Sequence, residues 1–64
     1  MANFYRDLTH ILRANGWELH RQGRGDHEVW RLASTGKSVT VDRSIKSRHT
    51  ANAVLKQAGL PKSF

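Results

Sequence analysis

The chain contains no cysteine, one proline and only five acidic residues among its 64 positions. Without cysteine there is no disulfide framework, no thiolate metal site and no cysteine nucleophile. No apolar run approaches the roughly 20 residues that a membrane-spanning helix needs, and the first residues lack the apolar core of a signal peptide. These absences predict a soluble, cytoplasmic protein without a membrane partner.

Basic residues are abundant and spread along the chain. Eleven Lys and Arg residues against five acids give a formal net charge of +6. A basic surface on a compact fold favours polyanions, with nucleic acid ahead of membrane surfaces or an acidic protein. The length predicts one domain over residues 1–64, with a core that only just offsets chain entropy.

Hydrophobic periodicity predicts five elements. Helical spacing of apolar residues indicates a first helix over about residues 4–15, capped by Asn3 and ended by Gly16. Alternating patterns indicate three strands, over about residues 17–22, 26–32 and 37–41. A polar loop over about residues 42–47 leads to a second helix that Ser47 or Thr50 can cap and Gly59-Leu60-Pro61 ends.

The order α-β-β-β-α predicts an α+β fold, in which a three-stranded antiparallel sheet carries both helices on one face. The apolar alternate positions then form the covered face: Trp17, Leu19, Trp30, Leu32, Val39 and Val41. Histidines, an arginine, a valine and hydroxyls form the open face: His20, His27, Val29, Arg31, Ser38 and Thr40. The two tryptophans are therefore expected in the core.

The first hairpin decides which residues meet across the sheet. A two-residue turn at Gly23-Arg24 would place His20 opposite His27 and Trp17 opposite Trp30. Cross-strand neighbours have Cβ atoms roughly 5 Å apart, so both imidazoles would reach one phosphodiester. A four-residue loop would give the same pairing, whereas a bulge at Gly25 would remove it.

His27 follows a glycine turn at the start of the second strand, amid arginines. Cleavage of RNA needs a base for the 2′-hydroxyl, an acid for the departing 5′-oxygen and cations for the phosphorane. One or two imidazoles among arginines suffice, without a metal or cofactor. A lone strand histidine is, however, more often a surface residue than a catalyst. The four histidines lie on different elements without the i, i+4 pairing of a zinc helix, so no metal site is expected.

Three segments together make the chain similar to a known family: Asn15-Gly16-Trp17, the run Arg21–Trp30, and the run Leu55–Leu60. In these segments it resembles the HicA toxins of bacterial toxin–antitoxin systems. The resemblance implies a fold like the double-stranded-RNA-binding domain, cleavage of messenger RNA, and His27 as the catalytic residue. It also implies a HicB-type antitoxin partner, through which the neutralised complex binds DNA.

The chain departs from the common family pattern beside His27. Gly25-Asp26-His27-Glu28 stands where many members have Gly-Ser-His. The flanking carboxylates either orient the imidazole or repel the phosphate, although an ideal strand points both away from His27.

The sequence therefore predicts a metal-independent endoribonuclease toxin, an mRNA interferase, with His27 as general acid or base. The expected phosphate-binding residues are Arg21, Arg24, Arg31 and Lys37, and the expected outer RNA contacts are Lys46, Arg48 and His49. His20 and Gly25 are auxiliary residues. The alternatives are a non-catalytic double-stranded-RNA-binding module and a structural protein whose basic face docks an acidic partner.

Overall fold

The computed structural model describes residues 3–64 and has the predicted order of elements. These elements are α1 (Tyr5–Ala14), β1 (Trp17–Gln22), β2 (His27–Leu32), β3 (Ser38–Asp42) and α2 (Arg48–Gln57). The strands form one antiparallel sheet in the order β1-β2-β3. No helix within residues 3–64 combines the length and the apolar character that crossing a membrane requires.

Asn3 and Ser47 accept backbone hydrogen bonds at the starts of the two helices. The N-cap of α1 is Phe4, whose side chain makes no capping bond, so the helix begins one residue later than an Asn3 cap predicts. Asn3 nevertheless accepts a hydrogen bond from the Tyr5 N–H at 3.0 Å. Ser47 caps α2, where its hydroxyl oxygen accepts from the Thr50 N–H at 3.4 Å. Both side chains satisfy donors that lack partners within a helix.

The chain after α2 folds back onto the helices. The helix ends where the Leu60 N–H donates to the Leu55 carbonyl at 2.8 Å, the six-to-one bond of a Schellman turn. The Asn52 side chain then bonds the backbone N–H and C=O of Phe64. The Phe64 ring meets Phe4 edge-on, with centroids 5.3 Å apart. This tail closes the end of the core near the start of α1.

Both helices pack on the same face of the sheet, as predicted, because residues of both join one cluster with the strands. The buried apolar residues of this core are Leu8, Leu12, Trp17, Trp30, Val39, Val41, Ile45, Ala51, Val54, Leu55 and Ala58. The tryptophans are thus core residues. Trp30 is fully buried on the central strand, where it supplies the largest apolar surface.

The register of the first hairpin differs from the predicted one. Trp17 lies opposite Leu32, and Leu19 lies opposite Trp30. The predicted facing pair Trp17 and Trp30 is therefore wrong. The cause is the turn, which holds three residues, Arg24–Asp26, instead of two and so moves every partner along β2.

The turn also removes the second predicted pair, His20 with His27, and a bulge in β1 leaves His20 outside the ladder. The ladder shifts between Leu19 and Arg21, which leaves His20 without a partner on β2. His20 does not lie opposite His27, whose cross-strand partner is Asp42 on β3. Because the extra residue reverses the alternation, Arg21 shares the open face with Val29.

One expected core residue is exposed. Leu19 has 44% of its surface accessible, although its pairing with Trp30 places it on the side of the helices. It lies on an edge strand, of which only Trp17 is buried. Leu32 on the central strand is half-buried and packs against the core.

Candidate functional site

His27 is exposed at the first residue of β2, on a turn fixed by its backbone. The Gly23 N–H donates to the His27 carbonyl at 2.8 Å, and the His27 N–H donates to the Arg24 carbonyl at 3.0 Å. Gly25 has a φ of +56°, a left-handed conformation that glycine adopts without strain. A Cβ on Gly23 would lie 3.1 Å from the His27 carbonyl oxygen and 3.4 Å from the His27 Cβ. Both glycines therefore shape the turn that holds His27.

The open face consists of three rows of side chains that run across the strands. The register pairs His27 with Asp42, then Arg21 with Val29 and Thr40, then Glu18 with Arg31 and Ser38. This face contains every residue predicted for it except His20, which the bulge removes from the ladder. Arg21 is the cation that the bulge brings into the row beside His27.

The predicted phosphate-binding cations lie at two ends of the sheet. Arg21 is diagonal to His27, at a Cβ separation of about 7–8 Å for such neighbours. Arg24 lies in the turn itself. Arg31 is four residues further along β2, about 13 Å away at the rise of a strand, and its guanidinium packs over Gly36. Lys37 precedes β3 at the same far end. Two of the four cations thus lie near His27.

Asp26 joins the His27 turn to the loop between β3 and α2. Its carboxylate accepts from the Ser44 hydroxyl at 2.7 Å and lies 3.6 Å from the Arg43 guanidinium. The backbone N–H of Arg43 also donates to the backbone carbonyl of Asp26 at 2.8 Å. These contacts bring the loop and the start of α2 to the same end of the sheet, with the exposed cationic and imidazole residues Lys46, Arg48 and His49.

Glu28 points away from His27, as an ideal strand predicts, but its burial was not predicted. Its side chain is 4% exposed on the helix side of the sheet, away from His27. Its Oε1 accepts from the Tyr5 hydroxyl at 2.7 Å and from Trp30 Nε1–H at 3.1 Å. Burial, together with the hydrogen bond from the Tyr5 hydroxyl to Glu28, raises the pKa of Tyr5 above its usual 10.0. Its burial could have been predicted from strand alternation, which places Glu28 on the same face as Trp30 and Leu32.

The flanking carboxylates therefore have partners elsewhere. Asp26 bonds the β3–α2 loop and Glu28 bonds the helix layer, so neither carboxylate's hydrogen bonds involve the imidazole. Within residues 3–64, no group of three or more His, Asp or Glu side chains converges to hold a metal ion.

Comparison with known proteins relates this geometry to one family. The model of the family described as the HicA toxin of bacterial toxin–antitoxin systems matches residues 5–60. No curated protein and no solved structure matches the chain. The matched segment contains both helices, all three strands and the His27 turn. The chain therefore belongs to the HicA toxin family of bacterial toxin–antitoxin systems.

Proposed function

We propose that the chain is an endoribonuclease toxin that cleaves messenger RNA with His27 and without a metal ion. The observation that carries this proposal is the exposed imidazole at the end of the central strand, on a turn fixed by two backbone hydrogen bonds. Arg21 and Arg24 lie beside it. Membership of a family of toxins supports the same activity.

The chemistry proposed is an attack within the RNA strand. The 2′-hydroxyl loses its proton to a base, and its oxygen bonds to the neighbouring phosphorus. The bond from phosphorus to the 5′-oxygen then breaks, and that oxygen gains a proton from an acid. The products are a 2′,3′-cyclic phosphate and a 5′-hydroxyl. An imidazole is suited to either proton transfer near neutral pH, so His27 is assigned to one of them.

The cations divide between the reacting phosphate and the rest of the RNA. Arg21 and Arg24 are assigned to the scissile phosphate, where positive charge stabilises the phosphorane. Arg31 and Lys37 would bind the backbone further along the open face. The loop and α2 residues Lys46, Arg48 and His49 would contact RNA at the outer side of the turn. His20 has no assigned role, because it lies in the bulge.

The family implies a cognate antitoxin. We propose that a HicB-type antitoxin covers the His27 face in the neutralised complex. Because the chain has a net charge of +6, an acidic surface on the partner would complement this face and cover the exposed imidazole. DNA would then be bound only through the antitoxin.

Induced expression tests the proposal in cells. We expect the wild-type chain to stop growth and shorten transcripts, and His27→Ala to do neither at an equal protein level. His20→Ala is the matched control and should act as the wild type, because His20 has no ladder partner near His27.

Two results would contradict this proposal. Toxicity of the His27→Ala chain equal to that of the wild type would remove the histidine from the mechanism. Intact transcripts during growth arrest by the wild type would favour the double-stranded-RNA-binding module, or a protein that acts by docking an acidic partner.

A further inference from the structure

Asp42 is an acidic residue of the open face that the activity proposed above does not use. It is the last residue of β3, it is half-buried, and the register places it directly opposite His27. A carboxylate repels phosphate, so Asp42 does not add to RNA binding at this end of the sheet. Any contribution it makes to the reaction therefore passes through the imidazole.

The backbone hydrogen bonds show how close the side chains of His27 and Asp42 lie. In the adjacent pair, the backbone N–H of Arg43 donates to the backbone carbonyl of Asp26. Hydrogen-bonded and non-hydrogen-bonded pairs alternate along an antiparallel ladder, so His27 and Asp42 form a non-hydrogen-bonded pair. Such pairs have Cα atoms about 4.5 Å apart and the closer side chains. The imidazole and the carboxylate thus lie side by side on the open face.

On the β1 side, the residue that bonds the His27 backbone is a glycine. The Gly23 N–H donates to the His27 carbonyl, and a Cβ built on Gly23 would lie 3.4 Å from the His27 Cβ. Gly23 therefore leaves this side of the imidazole uncovered. Asp42 is the side chain that faces His27 from a neighbouring strand, whereas Arg21 is diagonal to it.

The loop after β3 fixes the Asp42 carboxylate. The Ser44 N–H donates to Asp42 Oδ1 at 2.8 Å, which closes an Asx turn. The hydroxyl of the same serine donates to Asp26 Oδ2 at 2.7 Å, and Arg43 lies 3.6 Å from the other oxygen of Asp26. Asp26 is thus held by the loop. The bond from Ser44 to Asp42 uses one carboxylate oxygen and leaves Oδ2 to accept another hydrogen bond.

We propose that Asp42 is a positioning residue for His27, whose imidazole N–H donates to the Asp42 carboxylate. This bond fixes the tautomer and the orientation of the ring, so that the other nitrogen faces the RNA. The proton of the reaction moves only through that second nitrogen, and Asp42 stays ionised throughout. The proposal rests on the function proposed above, in which His27 transfers a proton.

Asp42→Asn is the substitution that isolates this role. The amide oxygen can keep the bond from the Ser44 N–H, so the Asx turn remains. The amide nitrogen then stands where Oδ2 stood, and it donates a hydrogen bond instead of accepting one. It therefore favours the opposite imidazole tautomer. Glu18→Gln is the matched control, because it removes one exposed acid from the same face, beside Arg31.

Steady-state cleavage of a defined RNA separates positioning from charge repulsion. We expect Asp42→Asn to lower kcat by about 10-fold or more, as part of the roughly 10²–10⁴-fold that general acid–base catalysis supplies. KM should stay the same or fall, because the loss of an acid at the site does not weaken the binding of phosphate. Glu18→Gln should keep the wild-type kcat, and both variants should keep the wild-type free energy of unfolding.

The nitrogen chemical shifts of the His27 ring report its tautomer in the intact protein without RNA. We expect one predominant neutral tautomer in the wild type and a change of tautomer in Asp42→Asn, with the spectrum of His27→Ala assigning the signal. The same tautomer in both proteins would overturn the proposal. An equal loss of kcat in Glu18→Gln would also overturn it.

Failure of the nuclease proposal gives a different result. A wild-type chain that cleaves no RNA would contradict the nuclease activity, but the tautomer comparison would still decide whether Asp42 orients His27. A wild type that cleaves, together with a kcat of Asp42→Asn equal to or above that of the wild type, would overturn the positioning role alone.

Discussion

The side chain of Glu28 is an acceptor shared by two donors in the core. The carboxylate bonds Tyr5 on α1 and Trp30 on its own strand, and so ties the start of α1 to the central strand. Buried polar groups stabilise a fold only while their partners remain. This network lies one residue from His27 and fixes the strand on which His27 stands.

Replacing the acceptor should therefore cost stability. Glu28→Leu leaves Trp30 Nε1–H buried without a partner, and we expect it to lower the free energy of unfolding by roughly 1–3 kcal/mol. Glu28→Gln keeps an oxygen at the accepting position and should lose less. Urea unfolding of both variants measures the difference. Stability of Glu28→Leu equal to that of the wild type would contradict the assigned role of this network.

The Tyr5 hydroxyl predicts how stability depends on alkaline pH. Burial and the bond to Glu28 raise the pKa of Tyr5 above 10.0, because both disfavour its ionised form. Its contribution is therefore fully present below the unfolded-state pKa and is lost as pH rises through the higher folded-state pKa. The difference in unfolding free energy between wild type and Tyr5→Phe should shrink above pH 10.0. A difference that is constant with pH would contradict the pKa direction.

The β1–β2 turn is the element that presents His27, and Gly25 sets its shape. At a φ of +56°, an alanine is strained by about 1–2 kcal/mol, whereas asparagine tolerates this region better. We expect Gly25→Ala to destabilise the chain by about that amount and Gly25→Asn to destabilise it less. Chemical unfolding measures both. Equal stability of Gly25→Ala and the wild type would show that the turn adopts another conformation.

The elements and the core were predictable from periodicity, but the hairpin register was not. Leu8, Leu12 and Trp30 lie where their spacing places them. The glycines of the turn allow a three-residue loop as well as the predicted two-residue one, and a bulge such as that at His20 leaves no mark in an alternating pattern. The predicted meeting of two histidines failed for this reason.

The burial of two residues, Leu19 and Glu28, also differs from what the alternating pattern predicts. Leu19 has the alternation of a core residue, yet it lies on an edge strand and is 44% exposed. Glu28 has the same alternation as Trp30, and its burial depends on a tyrosine 23 residues earlier. A pair so distant in sequence is invisible to local periodicity, which is why the pattern placed His27 and most of the open face but did not predict the burial of Glu28.

Over the whole molecule, the His27 end of the sheet carries both cations and acids. Arg21 and Arg24 lie near the imidazole, whereas Asp42 is its partner across the strands and Asp26 bonds the loop that precedes α2. The proposed RNA contacts at this end therefore depend on Arg21 and Arg24, while Arg31 and Lys37 lie at the far end of the sheet.

The rate at which the purified chain cleaves one defined RNA in the presence of EDTA tests the central claim most directly. We expect cleavage by the wild type that chelator does not change. We expect a rate lower by roughly 10²-fold or more for His27→Ala, with an unchanged free energy of unfolding. Comparable cleavage by His27→Ala, or loss of wild-type cleavage in EDTA, would contradict it.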